Sequence, residues 1–155
     1  MIIQRINRTD AEKIFVIAHN AEATTITTGM GTRYMGALAA EVVSTGGNNV
    51  CKLDADTAMC QFAGIADQDI ASLGYGRVQA WGYCNSILLS AEADKTIGVA
   101  ARAETFLKKG AVAGSFTSTQ TPEALSTFAY KYVQVMNTTN ISGGLNYATG
   151  FVRAM

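Results

Sequence analysis

The residue types that carry most enzymatic chemistry are sparse in this chain of 155 residues, which has one histidine, three cysteines and twelve acidic side chains. His19 is the one possible centre of a Ser-His-Asp or Cys-His arrangement, and no G-x-S-x-G elbow marks a nucleophile for it. A histidine closing an apolar run reads better as a structural side chain with satisfied ring nitrogens. Cys51, Cys60 and Cys84 are odd in number and form no C-x-x-C pair, so zinc and dithiol redox chemistry both lack their spacing. They read as three small buried thiols. Asp54-x-Asp56 and Asp67-x-Asp69 are the paired carboxylates. On a strand such pairs share a face and can clamp a hard cation, but the further oxygen ligands, the glycine and the later glutamate of a calcium loop are missing. Turn aspartates bonding their own backbone are the commoner use. Gly29-x-Gly31 and Gly74-Tyr75-Gly76 lack the rest of any phosphate-binding motif and read as tight turns with positive φ. No metal and no cofactor is expected.

Aromatic side chains offer a different chemistry. Tyr75, Trp81 and Tyr83 have faces on which bases or sugars stack, yet the basic patch that single-strand platforms require is absent beside them. Tyr, Trp and Arg on one strand face are also the residues that dominate protein interfaces. Tyr75, Arg77, Trp81 and Tyr83 are therefore candidates for subunit contact, with core packing the competing role for Trp81.

Charge narrows the field further. Twelve Lys+Arg balance twelve Asp+Glu to a net charge of zero, charged residues are only 15% of the chain, and hydrophobic residues are 48%. An average soluble domain has about 25% charged residues, and near-zero net charge promotes association. The composition points to a chain partly covered by other protein. A nucleic-acid binder needs a basic excess to neutralise phosphates, and the cations here are scattered, with Lys108-Lys109 the one adjacent pair. Disorder needs low hydrophobicity and high net charge. No apolar run approaches the ~18 residues of a membrane helix. Met1-Ile2-Ile3-Gln4-Arg5 runs straight into polar Asn7-Arg8-Thr9-Asp10, so no signal peptide is expected and the product is expected to stay in the cytosol where it is made.

The elements that position these residues are mostly strands. Short apolar stretches punctuated by Gly, Asn, Asp and Ser mark a β-rich fold. Arg77 to Cys84 is the clearest strand: Val78, Ala80, Gly82 and Cys84 make a small apolar face, and Arg77, Gln79, Trp81 and Tyr83 a large amphipathic one. Asn85-Ser86 reads as a turn or bulge before Ile87 to Ser90 resumes a strand. Gln61 to Ala66 is a strand closed by the Asp67-Gln68-Asp69 turn. Lys13 to His19 is apolar on both faces, so it is expected sandwiched or paired across an interface. Tyr132 to Met136 and Ala148 to Arg153 complete the strands. Thr121-Pro122-Glu123 starts a short helix to about Tyr130, and Val99 to Lys109 reads as helical with Gly110 as its cap. Tyr34 to Val43 fits either a helix or an irregular strand. A single domain over 11–155 preceded by an arm over 1–10 follows.

Phe62-Ala63-Gly64-Ile65-Ala66-Asp67-Gln68-Asp69-Ile70-Ala71, followed by Tyr75-Gly76-Arg77-Val78-Gln79-Ala80-Trp81-Gly82, resembles the small capsid decoration (cement) proteins of tailed bacteriophages. Their pattern is a Gly-Ile/Val-Ala strand, a short turn, then Tyr-Gly-x-Val-Gln leading into a strand with an aromatic and glycine. The likeness is strongest over residues 60–90. The stretch from Thr24 to Gly31, as an opening strand, and the ending Gly150 to Met155 are similar too. Two places depart from it: the bulky Tyr34 to Val43 stretch, and Lys108-Lys109 where the family has a small turn.

The resemblance implies a mainly β fold, an antiparallel barrel (tulip-like) or sandwich with one to three short helices and an extended N-terminal arm. It implies a non-enzymatic virion protein on the capsid exterior that bridges major capsid protein subunits, often as a homotrimer, with no direct nucleic-acid or membrane contact. The arm's Ile2, Ile3, Arg5, Ile6 and Arg8 are then candidates for capsid contact. Another virion component, a head fibre base or tail-tube subunit, competes within the same class. From a different class, a small cytosolic enzyme or ligand-binding barrel requires His19, Asp67 and Asp69 to converge in a deep pocket.

Overall fold

A β-strand alternates its side chains between two faces, so a long run that pairs on both edges can hold a whole domain together. Tyr75–Ser90 is such a run. The structure is a computed structural model and describes residues 13–35, 48–54, 61–90, 100–101, 107–109, 112–118, 133–136, 139–140 and 145–154. Its strands are β1 Ile14–Asn20, β2 Gly31–Tyr34, β3 Asn49–Lys52, β4 Phe62–Ala66, β5 Tyr75–Ser90, β6 Ala100–Ala101, β7 Leu107–Lys109, β8 Phe116–Ser118, β9 Val133–Val135, β10 Thr139–Asn140 and β11 Leu145–Arg153.

The first half of β5 closes a barrel. Its neighbours run β1-β3-β2-β4-β5, and β5 pairs back onto β1. Val78 lies opposite both Val16 and Ala66, so β1 and β4 occupy the two edges of β5 at that level. Higher up, Leu89 lies opposite both Asn146 of β11 and Phe116 of β8. Strand β9 extends the sheet beyond β11. The mainly β expectation holds, and the barrel form of it is the one found. Two pairings, β1 with β3 and β5 with β8, are parallel, so the barrel is not purely antiparallel.

Backbone irregularities steer β5 from the barrel to the outer strands. Trp81 pairs with Ile14 but Gln79 with Phe15, which leaves Ala80 as an extra residue. Gly82 follows with φ 102, a left-handed conformation that favours glycine. Cys84 faces Gly150 and Ile87 faces Ala148, so Asn85 and Ser86 together oppose Thr149. The expected turn or bulge at Asn85-Ser86 is a bulge, and β5 passes through it as one strand.

Two buried clusters result. Ala18, Val50, Ala63, Ala66 and Val78 of the barrel strands pack with Ile26 and Ile70. Leu53, Phe62, Ile65, Cys84, Ile87, Leu89, Phe116, Val133, Val135, Ala148 and Val152 form the second cluster. Each large aliphatic or aromatic side chain so buried contributes about 1.5–3 kcal/mol. Arg33 is buried at the barrel, where its Nε and Nη2 donate to the Asp54 carboxylate at 2.9 and 3.1 Å. A buried guanidinium needs such a partner, because removing one member leaves an uncompensated charge.

Several expectations are corrected. Ala100–Ala101 and Leu107–Lys109 are strands, not parts of a helix from Val99 to Lys109; β7 finds its ladder partner in β8, and distant pairing overrides a local helical period. Residues 24–30 are not a strand: they bend, bridge through Ile26 to Ile70, and turn at Thr28-Gly29 before Gly31 opens β2. The positive φ near Gly74-Tyr75-Gly76 belongs to Leu73 instead of either glycine. Gly76 serves packing, because the Ile70 side chain fills the space a Cβ would take. Strand β1 is not sandwiched, since Phe15 and Ile17 are exposed. The arm, the helix from Pro122 to Tyr130, residues 36–43 and Cys60 lie outside the described residues.

Candidate functional site

Strand β5 and its neighbours β1 and β11 gather the side chains most able to act. Antiparallel partners share a face, so register decides which residues meet. His19, Ile17 and Phe15 of β1 lie opposite Tyr75, Arg77 and Gln79 of β5. Phe151 and Arg153 of β11 lie opposite Tyr83 and Trp81. The extra residue at Ala80 brings Trp81 into register with Ile14, which alternates with Phe15, so two groups result: Phe15, Ile17, Tyr75 and Arg77 on one face of β5, and Trp81, Tyr83, Phe151 and Arg153 on the other.

Contacts within each group set its geometry. Trp81 meets Phe151 edge-on with ring centroids 5.4 Å apart. The Arg153 guanidinium lies over Phe151 at 5.4 Å, and that of Arg77 over Phe15 at 5.3 Å. Arg77 Nη2 also meets Asp67 Oδ2 at 2.7 Å on the rim. Tyr75 packs against the His19 ring at 4.9 Å. Tyr75 is 73% exposed, Ile17 59% and Leu73 65%. A stacked guanidinium is held flat while its N–H edges stay available to a carboxylate.

Of the four residues proposed for subunit contact, Tyr75 and Arg77 are open and Trp81 and Tyr83 half-buried; they were expected on one face, but the extra residue at Ala80 puts Trp81 and Tyr83 on the face opposite Arg77. Gln79, expected beside them, is buried; its Nε2 donates to the Trp81 and Tyr83 carbonyls at 3.2 and 3.0 Å, where the strand departs from regular geometry. Phe15, Ile17, Leu73, Phe151 and Arg153 were not singled out beforehand. The signals for two of them were legible: Phe151-x-Arg153 repeats the aromatic and arginine alternation of β5 at period two. Leu73 carried no such signal, because its left-handed backbone (φ 56) depends on the turn.

Leu73 is informative for that reason. A left-handed leucine is strained by about 1–3 kcal/mol, and such strain concentrates at sites that bind something. Its carbonyl accepts from His19 Nε2 at 3.1 Å, and His19 Nδ1 meets the Asn49 side-chain amide at 3.0 Å. His19 therefore braces the turn that projects Leu73 beside Tyr75.

The polar candidates have local duties. Asp69 Oδ1 accepts from the Thr28 backbone N–H at 2.7 Å and its hydroxyl at 2.9 Å, and these bonds, the backbone one first, hold the carboxyl below its ordinary pKa. Asp54 holds Arg33 and Asp67 holds Arg77, so His19, Asp67 and Asp69 each serve a different partner. Cys51 and Cys84 are buried; desolvation pushes the Cys84 thiol up, with its Sγ 3.4 Å from the Ser86 carbonyl. Among the described residues no group of three or more His, Cys, Asp or Glu is arranged to hold a metal ion. No described helix is long and apolar enough to cross a membrane. Ile2, Ile3, Arg5, Ile6 and Arg8 lie outside the described residues.

Comparison with protein-family models and with curated proteins finds no match to this chain.

Proposed function

We propose that this chain is a docking module, a structural protein that works by covering and being covered. More specifically, it acts as a capsid decoration protein on the outside of an assembled tailed-phage shell, cementing neighbouring major capsid protein subunits in three-fold groups. The observation that carries this reading is the exposed group of Phe15, Ile17, Leu73 and Tyr75 with Arg77 on the outside of the closed barrel. Monomeric soluble proteins seldom leave such a patch uncovered. The likeness of residues 60–90 to decoration proteins supports the same reading, and that segment contains the strand at the centre of the face.

Its mechanism is mass action. A protein that binds only the expanded lattice stabilises that state by its differential affinity, about 2.7 kcal/mol per site at a hundredfold excess over Kd. The experiment incubates the purified chain with expanded and unexpanded empty capsids and measures occupancy by sedimentation. Binding to expanded capsids alone is expected, and a chain lacking Met1 to Arg8 should fold normally but lose occupancy. Equal binding to both capsid forms, or to neither, removes the cement mechanism.

A further inference from the structure

We infer that the open face of β11, on the side of β5 turned away from Tyr75 and Arg77, is an interface between two copies of this chain, related by a two-fold axis that crosses β11 at Thr149. The inference concerns the other face of β5 and does not rest on the capsid reading.

Alternation is the first argument. The bulge at Asn85-Ser86 lies in β5, so β11 keeps its period of two: Ala148, Gly150 and Val152 are buried, Leu145, Tyr147 and Arg153 exposed, and Thr149 and Phe151 half-buried between them. Met136 joins this face from beside β9, where its N–H donates to the Thr149 carbonyl, and Tyr83 and Trp81 join it from β5. Leu145 and Met136 are each 51% exposed and Tyr147 55%. With the half-buried rings they offer on the order of 400 Å², about half of the ~800 Å² that each partner brings to a standard interface. The rings are also held in place. Gly29, at φ 86, has no Cβ, and Tyr147 Cε1 stands 2.9 Å from where one would be. Phe151 is in contact with both the Trp81 ring and the Arg153 guanidinium. Side chains already fixed lose little freedom on docking.

Charge is the second argument, and it selects a second copy. Among the described residues Arg153 is the one charged side chain of this face, and it stands at the opposite end of β11 from Leu145, eight residues away. A strand covers that separation in about 27 Å. An axis at Thr149, midway between them, lays each Arg153 beside the partner's Leu145 and each Tyr147 against the partner's Phe151. The two guanidiniums then sit at opposite rims, about three Debye lengths apart at physiological salt, so they do not repel. The chain's zero net charge removes repulsion between whole copies. A nucleic acid or an acidic segment would find a single cation here, too few to hold either.

Sedimentation equilibrium of the full chain tests this, and the parent should reach a dimer in the micromolar range. Thr149→Glu and Thr149→Lys each set like charges across the axis and should each weaken the dimer by about tenfold or more. An equimolar mixture of the two variants should recover it, because residue 149 meets itself only in an isologous contact. Unchanged circular dichroism of both variants separates docking from folding. A parent that stays monomeric to about 100 μM overturns the inference, as does association to a trimer alone. So does a mixture that fails to recover the dimer, or association lost in Tyr75→Glu but kept in Thr149→Glu. A dimer that binds no capsid supports the inference while removing the capsid reading. Capsid occupancy by a chain that is monomeric in solution overturns it and leaves the capsid reading intact.

Discussion

Asp69 shows how a side chain that looks catalytic in the sequence can be structural. Its carboxylate accepts two bonds from Thr28, so its pKa is lower in the folded chain than the ordinary value. A carboxyl depressed on folding adds stability above its unfolded pKa, about 3.9, and loses it as pH falls through the folded value. Thermal melts should therefore show the parent losing stability more steeply than Asp69→Asn below about pH 4; parallel curves would remove Asp69 from the acid response. Cys84 titrates the other way. Burial keeps it a protonated thiol at neutral pH, so its peptide should stay unalkylated under native conditions and label only on unfolding, as read by mass spectrometry. Gly64 is fixed more rigidly still. It holds φ 138, and an added Cβ would collide with the Gln79 carbonyl. Gly64→Ala should destabilise by about 3 kcal/mol or more in denaturant titration, since strain and overpacking add there.

Among the elements, β5 decides most. The small and large residues alternating from Arg77 to Cys84 were legible in the sequence, and the four small ones are buried, but the extra residue at Ala80 breaks the two continuous faces that period two implies. Gln79 broke the pattern for a reason no period contains: the extra residue at Ala80 and the positive φ at Gly82 turn its amide onto the carbonyls of its own strand. Gly82→Ala should cost about 1–3 kcal/mol and loosen β11 from β5, visible as faster amide exchange in Phe151 and Val152. Exchange unchanged in β11 would mean the kink is not what joins barrel to outer strands. The segment Val99 to Lys109 taught the opposite lesson. Its helical spacing was real as a pattern, but β7 is held by β8, a partner outside the window that a local period surveys.

At the scale of the molecule, two clusters share one strand. Phe116 belongs to the second cluster, fully buried and edge-on to Phe62 at 6.0 Å. Phe116→Ala should cost about 3–5 kcal/mol, and one cooperative transition should remain, because β5 belongs to both clusters. Two separate transitions would show that barrel and outer strands unfold independently. Trp81→Ala should instead leave stability nearly unchanged while reducing capsid occupancy; loss of folding would return Trp81 to the core.

The sequence alone determined the strand-rich class, the absence of any recognisable catalytic spacing and the alternation of β5, because these depend on residue type and on neighbours within a few positions. Zero net charge and a low charged fraction favour association without saying which surface would take part. Only the tertiary structure decided the faces: register brings Phe15 and Ile17 of β1 beside Tyr75 and Arg77 on one face of β5, and Phe151 and Arg153 of β11 beside Tyr83 and Trp81 on the other. Strand pairing is a long-range contact set by bulges and by a glycine at positive φ, and neither is written in the period of any one strand.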